Sequence, residues 1–534
     1  MTLSRRDLLK LSALGGAAVA LPLERAVGAP LAFANRIAQS ALPAPFTIPF
    51  TVPPPIFPVT PPVGSDGMTD YYKVYMEQRS VEIIPGLQTP VFAYNGSVPG
   101  PTFRMAQGRQ SVVRVVNNLP SVHPTLNYTP WTSVHLHGSA SLPQYDGYAS
   151  DIANPGQYKD YRYPNSQHAR TMWYHDHGLH HTAENVYMGL VGMYQLTDAR
   201  EQSLPIPRGE YDVPLIVSDA MFNADGSLLF NNTDFKGVYG DVITVNGRPW
   251  PVMKVKRRKY RFRILNGSVS RSYKWSLDNG APMTIIATDG GLVPAPVRVT
   301  SFRHSGGERY EVVIDFAKYP PGTRIVMRNT SPKNNVNYIN TNKVMAFDVV
   351  DDAFDPTNNE VPAQLFPEEP TMNLSESLAT ATRKFEFFRT GGQWTINGTT
   401  WEDVVASGFT KVLATPNHDD VEVWEFTNPH GGWHHPVHVH LVDFKVLTRN
   451  GRPAMPHERG PKDVLFLGEN ERVRVLMKFN EGRGKYMMHC HNMVHEDHDM
   501  MAQFEVRDDV TPASDPRSDP CKNSPETPFY SGAT

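Results

Sequence analysis

Cysteine is almost missing from this chain: Cys490 and Cys521 are the only two in 534 residues. At most one disulfide can form, so stability has to come from buried cores rather than staples. A surplus of one charge sign is missing too. With 51 basic and 54 acidic residues the formal net charge is −3, and the signs are mixed along the chain. There is no basic stripe to hold phosphate backbones and no polybasic run to hold anionic lipid, which argues against nucleic acid as a partner. Long apolar runs are absent as well. The stretch from Leu11 to about Leu23 is short of the roughly 20 residues a bilayer span needs, so no stable membrane anchor is expected. Long helical patterns are scarce.

What is abundant is punctuation. The 47 prolines and 39 glycines are spread along the length, which favours many short strands joined by turns and makes all-β the expected fold class. The length suggests three or so domains, each able to bury its own core. At the N-terminus, Ser4-Arg5-Arg6-Asp7-Leu8-Leu9-Lys10 precedes the short apolar stretch and the small-residue site Ala32-Phe33-Ala34. This looks like a Tat export signal over residues 1–34, implying the Tat machinery as a partner, a mature chain starting near Asn35, and a periplasmic or extracellular location.

Residues 35–75 are Pro-rich and read as an extended strap on the domain that follows. Self-similarity then occurs three times. Tyr94-Asn95-Gly96, Val245-Asn246-Gly247 and Ile396-Asn397-Gly398 are each followed by a β-patterned run ending in Asn117, Asn266 or Asn428. A second echo links Gly307-Glu308-Arg309 and the run to Phe316 with Glu471-Arg472 and the run to Phe479. These repeats divide the chain into β-domains at 35–205, 206–370 and 371–534, the second boundary lying in the Pro-, Asp- and Asn-rich segment 351–370. Short alternating strands with such turns suit Greek-key sandwiches.

Four His-x-His pairs stand out among 20 histidines: His135 with His137, His175 with His177, His438 with His440, and His489 with His491. On a strand, residues two apart share a face, so each pair aims two imidazoles at one place. One such pair is commonly packing. Four pairs, two near each end of the chain and none in the middle repeat, point to a metal cluster at the seam of the first and third domains. Cys490 lies between His489 and His491 and must face the other side of its strand, where His435 and His495 can join it. A thiolate, two imidazoles and a weak axial thioether, with Met500 the candidate and Met501 a packing residue, make a blue-copper electron-transfer site. Zinc would also accept Cys and His, but eight further histidines exceed a structural zinc site.

The segments Trp433-His434-His435-Pro436-Val437-His438-Val439-His440 and His489-Cys490-His491-Asn492-Met493-Val494-His495, with the two earlier pairs, resemble the signature segments of the multicopper oxidase family. The likeness is to its bilirubin oxidase and spore-coat laccase branch. It implies three cupredoxin-like Greek-key β-sandwich domains and four copper ions. Type 1 copper would be held by His435, Cys490, His495 and Met500, and type 2 by His135 and His438. One type 3 copper would take His137, His175 and His491, and the other His177, His440 and His489. Many fungal laccases carry Leu or Phe at the Met500 position, so a lower potential is expected here. The resemblance also matches Asp146 and Glu496 to acids that deliver protons. Asp146 equally suits a turn before Gly147, and Glu496 a residue orienting a ligand. Trp433, with His495, would form the substrate edge, or Trp433 would only pack there. His180, His181, His434 and His498 lie outside the pattern.

The expected activity is one-electron oxidation of small phenols, aminophenols or tetrapyrroles with reduction of dioxygen to water. A cuprous or other metal-ion oxidase is the alternative, though the 20 methionines form no Met-rich insert. A copper-storage or electron-carrier protein would need only the Cys490 site.

Overall fold

The computed structural model describes residues 35–233, 235–353, 355–508 and 522–523. The signal-like segment 1–34 and Cys521 lie outside the described residues. The all-β expectation holds: helices among the described residues are single turns such as Thr182–Tyr187, Trp401–Ala406 and Met493–Asp497. None is long and apolar enough to cross a membrane.

The three sequence echoes are three copies of one strand arrangement. Thr69–Val81 pairs antiparallel with Thr89–Tyr94 and parallel with Gln110–Asn118. Asp212–Ala220 does the same with Val242–Val245 and Lys259–Asn266, and Ala381–Thr390 with Gln393–Ile396 and Val421–Thr427. At the turns Asn95, Asn246 and Asn397 sit at φ 49°, 50° and 51°, the left-handed region that asparagine tolerates. Each accepts through Oδ1 a backbone N–H of the neighbouring strand, from Tyr75, Ile216 and Glu386 at 2.7–2.8 Å. Asn117, Asn266 and Asn428 each accept the N–H two residues on, closing equivalent turns.

Among the described residues each third of the chain builds two sheets: two four-stranded ones in the first, seven- and five-stranded in the second, six- and four-stranded in the third, with one strand from the C-terminal end added to a sheet of the first. The parallel pairs require chain crossovers, which join the two sheets of each sandwich. Between the sheets lie apolar cores, for example Val74, Phe103, Leu136 and Tyr174 in the first and Phe387, Trp424, Val437 and Phe504 in the third. At about 25 cal/mol per Å² of apolar surface, such burial is the main stabilising effect in a chain with only two cysteines.

Two ends depart from the sequence reading. The Pro-rich strap does not lie only on the first domain: Phe46 and Phe50 donate to Trp250 and Val252 carbonyls of the middle third before Ile56 reaches Thr102 of the first. Proline suits this run because few of its backbone donors need ladder partners. At the other end Lys522–Asn523 leaves the third unit and pairs antiparallel with Gln157–Tyr163, as the edge strand of a first-unit sheet.

Candidate metal centre

Four strands carry the ligand-type residues, and strand alternation sorts their side chains. In Val134–His137, Val134 and Leu136 enter the first core, which leaves His135 and His137 on the opposite face. In Arg170–Asp176, Met172 and Tyr174 enter the same core, while Trp173 stacks on His175 at 4.0 Å between ring centres. In His435–Val439, Val437 and Val439 enter the third core and His438 faces away. Gly484–Cys490 puts Tyr486, Met488 and Cys490 into that core and His489 outside it. Register completes the placement: His135 is opposite His175, His438 opposite His489, and Val437 opposite Cys490.

Beneath the third core's rim, Nδ1 of His435 lies 3.3 Å from the Cys490 sulfur, Nδ1 of His495 lies 3.6 Å from it, and the two Nδ1 atoms are 3.3 Å apart. All three side chains are buried. Met500 is buried in the same core, and its backbone ties the group together: Cys490 N–H donates to the Met500 carbonyl at 3.0 Å, and Met500 N–H to the His495 carbonyl at 2.9 Å. Burial pushes the Cys490 thiol well up and the His435 imidazole down to about 3. The imidazoles are therefore neutral and a thiolate requires a cation among them.

On the other face of the strands the eight paired histidines meet, all buried. His440 Nδ1 donates to Asp146 Oδ2 at 2.7 Å, while His177 and His489 turn Nδ1 toward Glu496 at 3.4 and 3.0 Å. With Nδ1 of His440 bonded to Asp146 and those of His177 and His489 facing the Glu496 carboxylate, the Nε2 atoms of His177 and His440 stand 3.2 and 3.1 Å from Nε2 of His489. Three lone pairs converging in a dry interior repel one another unless a cation stands between them. The same logic holds for His135, His438 and His175, whose Nδ1 atoms donate to the carbonyls of Asp146, Asp463 and Asp176. Their Nε2 atoms, and Nδ1 of His137, are buried without a hydrogen-bond partner. Fixing one ring nitrogen selects the other for a metal. Burial, reinforced by neighbouring imidazoles, holds His175, His438 and His440 well below the usual range, which keeps them neutral donors.

Sequence profiles of the multicopper oxidase family match residues 76–201, 194–348 and 377–510. Bilirubin oxidase from Albifimbria verrucaria is 43% identical over 88% of this chain and 83% of its own. A laccase from Bacillus subtilis (strain 168) is 33% identical over 85% and 98%. Among solved structures, a multi-copper oxidase from Pediococcus acidilactici is similar with TM-score 0.77, 28% identity and coverage of 89% of this chain and 94% of that one. The McoA multicopper oxidase from Aquifex aeolicus has TM-score 0.74, 28% identity and coverage of 86% and 100%. The chain belongs to the multicopper oxidase family. As a multicopper oxidase it is an oxidoreductase using dioxygen and small-molecule donors, its domains are cupredoxin-like, and its histidine clusters suit copper.

Both acids singled out from the sequence touch the cluster of this multicopper oxidase. Asp146 does belong to a turn, where Gly147 at φ +78° presses so closely on the His135 strand that a Cβ would stand 2.5 Å from the Val134 carbonyl. Burial raises the Asp146 carboxyl, with His135 opposing. For Glu496 burial is outweighed by His489 and His177, which hold it at about 2. Its oxygens are within ion-pairing distance of both imidazoles but not aligned for hydrogen bonds.

Sequence reasoning missed Asp463, whose Oδ1 accepts from His137 Nε2 at 3.1 Å. It also missed the middle domain's part. Arg309, fully buried, grips both Asp463 oxygens at 2.6 Å, and a Cβ on Gly307 at φ +81° would stand 2.8 Å from His491 Cδ2. The Gly307-Glu308-Arg309 echo was the available signal, but it reads as scaffold because its counterpart Arg472 is 59% exposed.

At the Cys490 pocket, Trp433 is half-buried, whereas His495 is only 1% exposed: Trp394 stacks on it at 3.8 Å and its Nε2 donates to the Lys236 carbonyl at 3.0 Å. His495 thus meets the surface only through its cover. His434 is bonded to Ser272, His498 to the Val494 carbonyl, and His180 pairs with Glu402, while His181 stacks on Tyr128.

Proposed function

We propose that this multicopper oxidase works with four copper ions: type 1 on His435, Cys490, His495 and Met500, type 2 on His135 and His438, and a type 3 pair on His137, His175, His491 and on His177, His440, His489. Its donors are small phenols, aminophenols or tetrapyrroles, a class supported by relatives named bilirubin oxidase and laccase. The observation that carries this reading is the Gly484–Cys490 strand: Cys490 turns into the His435–His495 pocket, while its neighbour His489 turns into the imidazole cluster. When bound, the coppers supply one-electron chemistry, taking electrons singly from the donor and passing four to one dioxygen to give two waters.

The chain's own residues do the rest. Cys490 links the two sites covalently, so donor and dioxygen are kept apart. Four protons must reach the reduced oxygen, and the two acids beside the cluster are the natural carriers. Glu496, ionised between two imidazoles, takes up and hands on protons; Asp146, raised by burial, retains one more readily. The same carboxylates orient His440, His177 and His489, so both roles coexist. Trp433 forms the donor-facing edge. Export of the folded protein by the Tat route to a periplasmic or extracellular site belongs to this proposal, motivated by Ser4-Arg5-Arg6 and the short apolar stretch after it.

Copper-loaded protein should be blue and should consume one dioxygen per four donor electrons in an oxygen electrode; hydrogen peroxide as the sustained main product overturns the water-forming reading. Cys490→Ser should erase the blue absorption and leave the type 2 resonance. Asp146→Asn and Glu496→Gln should each lower kcat by about a hundredfold or more with the blue band intact. If both leave oxygen reduction unchanged, the proton-carrying role fails.

A further inference from the structure

Between the first and middle thirds of the chain lies a cavity of about 50 Å³ that none of the copper-type ligands lines. Val91, Val98, Val186 and Val191 form one side of it, and Phe222 and Val269 the other. By size it could hold water, but a buried water needs two to four polar partners. The polar groups in this wall are already bonded elsewhere. Ser218 Oγ pairs with Thr244 Oγ1 at 2.8 Å, and Tyr187 Oη accepts the Met221 N–H at 2.8 Å and donates to the Leu229 carbonyl at 2.9 Å. The Asp219 carboxylate accepts from Arg271 Nε at 2.7 Å and from the Gly240 N–H at 2.6 Å. What the wall offers is apolar contact, which suits a small apolar guest better than water. The cavity also adjoins the histidine cluster. Val191 is the register partner of His175, so the two side chains share one sheet face. Val186, Val191 and Val269 pack in a single apolar cluster with Trp173, which stacks on His175, and with Met493, two residues after His491.

We propose that this cavity is a holding site for dioxygen, which moves past Val191 and Val269 to the side of the cluster formed by His175 and His491. Dioxygen is uncharged and apolar, one molecule fits the volume, and it is the gas this oxidase consumes. The effect that drives apolar groups out of water concentrates such a gas in a dry apolar space. The proposal rests on the reading of the paired histidines as the centre that reduces dioxygen and adds to it the place where that substrate is collected.

Xenon, an uncharged apolar atom that scatters strongly, is the probe. Crystals of the copper-loaded enzyme under xenon pressure should show one xenon beside Val191 and Val269. Val269→Phe, which fills the cavity, should exclude the xenon and lower kcat/KM for dioxygen about fivefold, while kcat at saturating dioxygen changes less than about twofold and copper content is unchanged. Absence of xenon from the wild-type cavity, or an unmoved kcat/KM for dioxygen in Val269→Phe, overturns the proposal. So does a loss of copper together with kcat, the mark of a merely structural role. Should Val269→Phe not fold, Val269→Ala decides: the enlarged cavity should take up more xenon and raise kcat/KM for dioxygen, and no change in either overturns the proposal. Copper-free protein should hold xenon at the same place. Failure of the copper reading would therefore show in the metal content and the blue absorption, and failure of this one in the xenon site.

Discussion

Arg309 and Asp463 show what one buried pair does in this enzyme. The guanidinium, from the middle third of the chain, holds both carboxylate oxygens, and one of those oxygens orients His137. Removing one partner of such a pair strands the other charge in a dry interior, at a cost of about 3–5 kcal/mol. Arg309→Met should lower unfolding stability by that amount in denaturant titrations and reduce copper retained after dialysis. Adding Asp463→Asn should recover part of the loss, because the uncompensated charge is gone. A single-variant cost under about 1 kcal/mol would mean that the clamp is decorative. None of this was legible in sequence: Asp463 belongs to no motif, and the residue that echoes Arg309, Arg472, is 59% exposed. The convergence of the paired histidines was legible because their spacing encodes direction.

At the scale of the element, the strand Gly484–Cys490 divides two chemistries by alternation alone. Cys490 shares a face with Met488 and Tyr486 in the apolar core, and His489 points into the cluster with Met487 on its face. Exchanging the two residues, His489→Cys with Cys490→His, keeps composition and charge but reverses the faces. The exchange should abolish blue absorption and lower copper content at both sites. A variant that stayed blue would show that side-chain direction does not assign the ligand. The strap is the counterexample. Its extended character followed from proline, but its docking on the middle domain depends on carbonyls of Trp250 and Val252 that no local pattern reveals.

Across the whole molecule, buried neutral histidines outside the metal centre set a limit on acid stability. Burial pushes His304 and His457 down to about 4. His304 also accepts the Trp275 indole N–H through Nδ1 at 2.7 Å and donates through Nε2 to the Glu308 carbonyl at 2.6 Å, so both ring nitrogens are committed to the neutral form. In the unfolded chain the same imidazoles titrate near 6.5, so between about pH 6.5 and 4 the unfolded state binds more protons. The stability they supply is complete above that window and is lost as pH falls through it, roughly 3 kcal/mol for each residue. Unfolding free energy measured from pH 7.5 to 4 should therefore fall, and His304→Gln should flatten the slope. An unchanged slope would remove His304 from the account.

By itself the sequence determined the fold class, the threefold echo and which histidines and cysteine share a strand face. Those properties are encoded locally, in turn asparagines, in proline and glycine punctuation, and in the period of two that sends His489 and Cys490 to opposite faces. Only the tertiary structure decided which ring nitrogen each histidine offers, because that depends on Asp146, Glu496 and carbonyls brought in from other strands. It also decided that the middle domain grips the centre through Arg309, and that His495 lies under Trp394 and the Lys236 carbonyl. These are contacts between residues far apart in the chain, and their energies come from burial and charge pairing that no local spacing records.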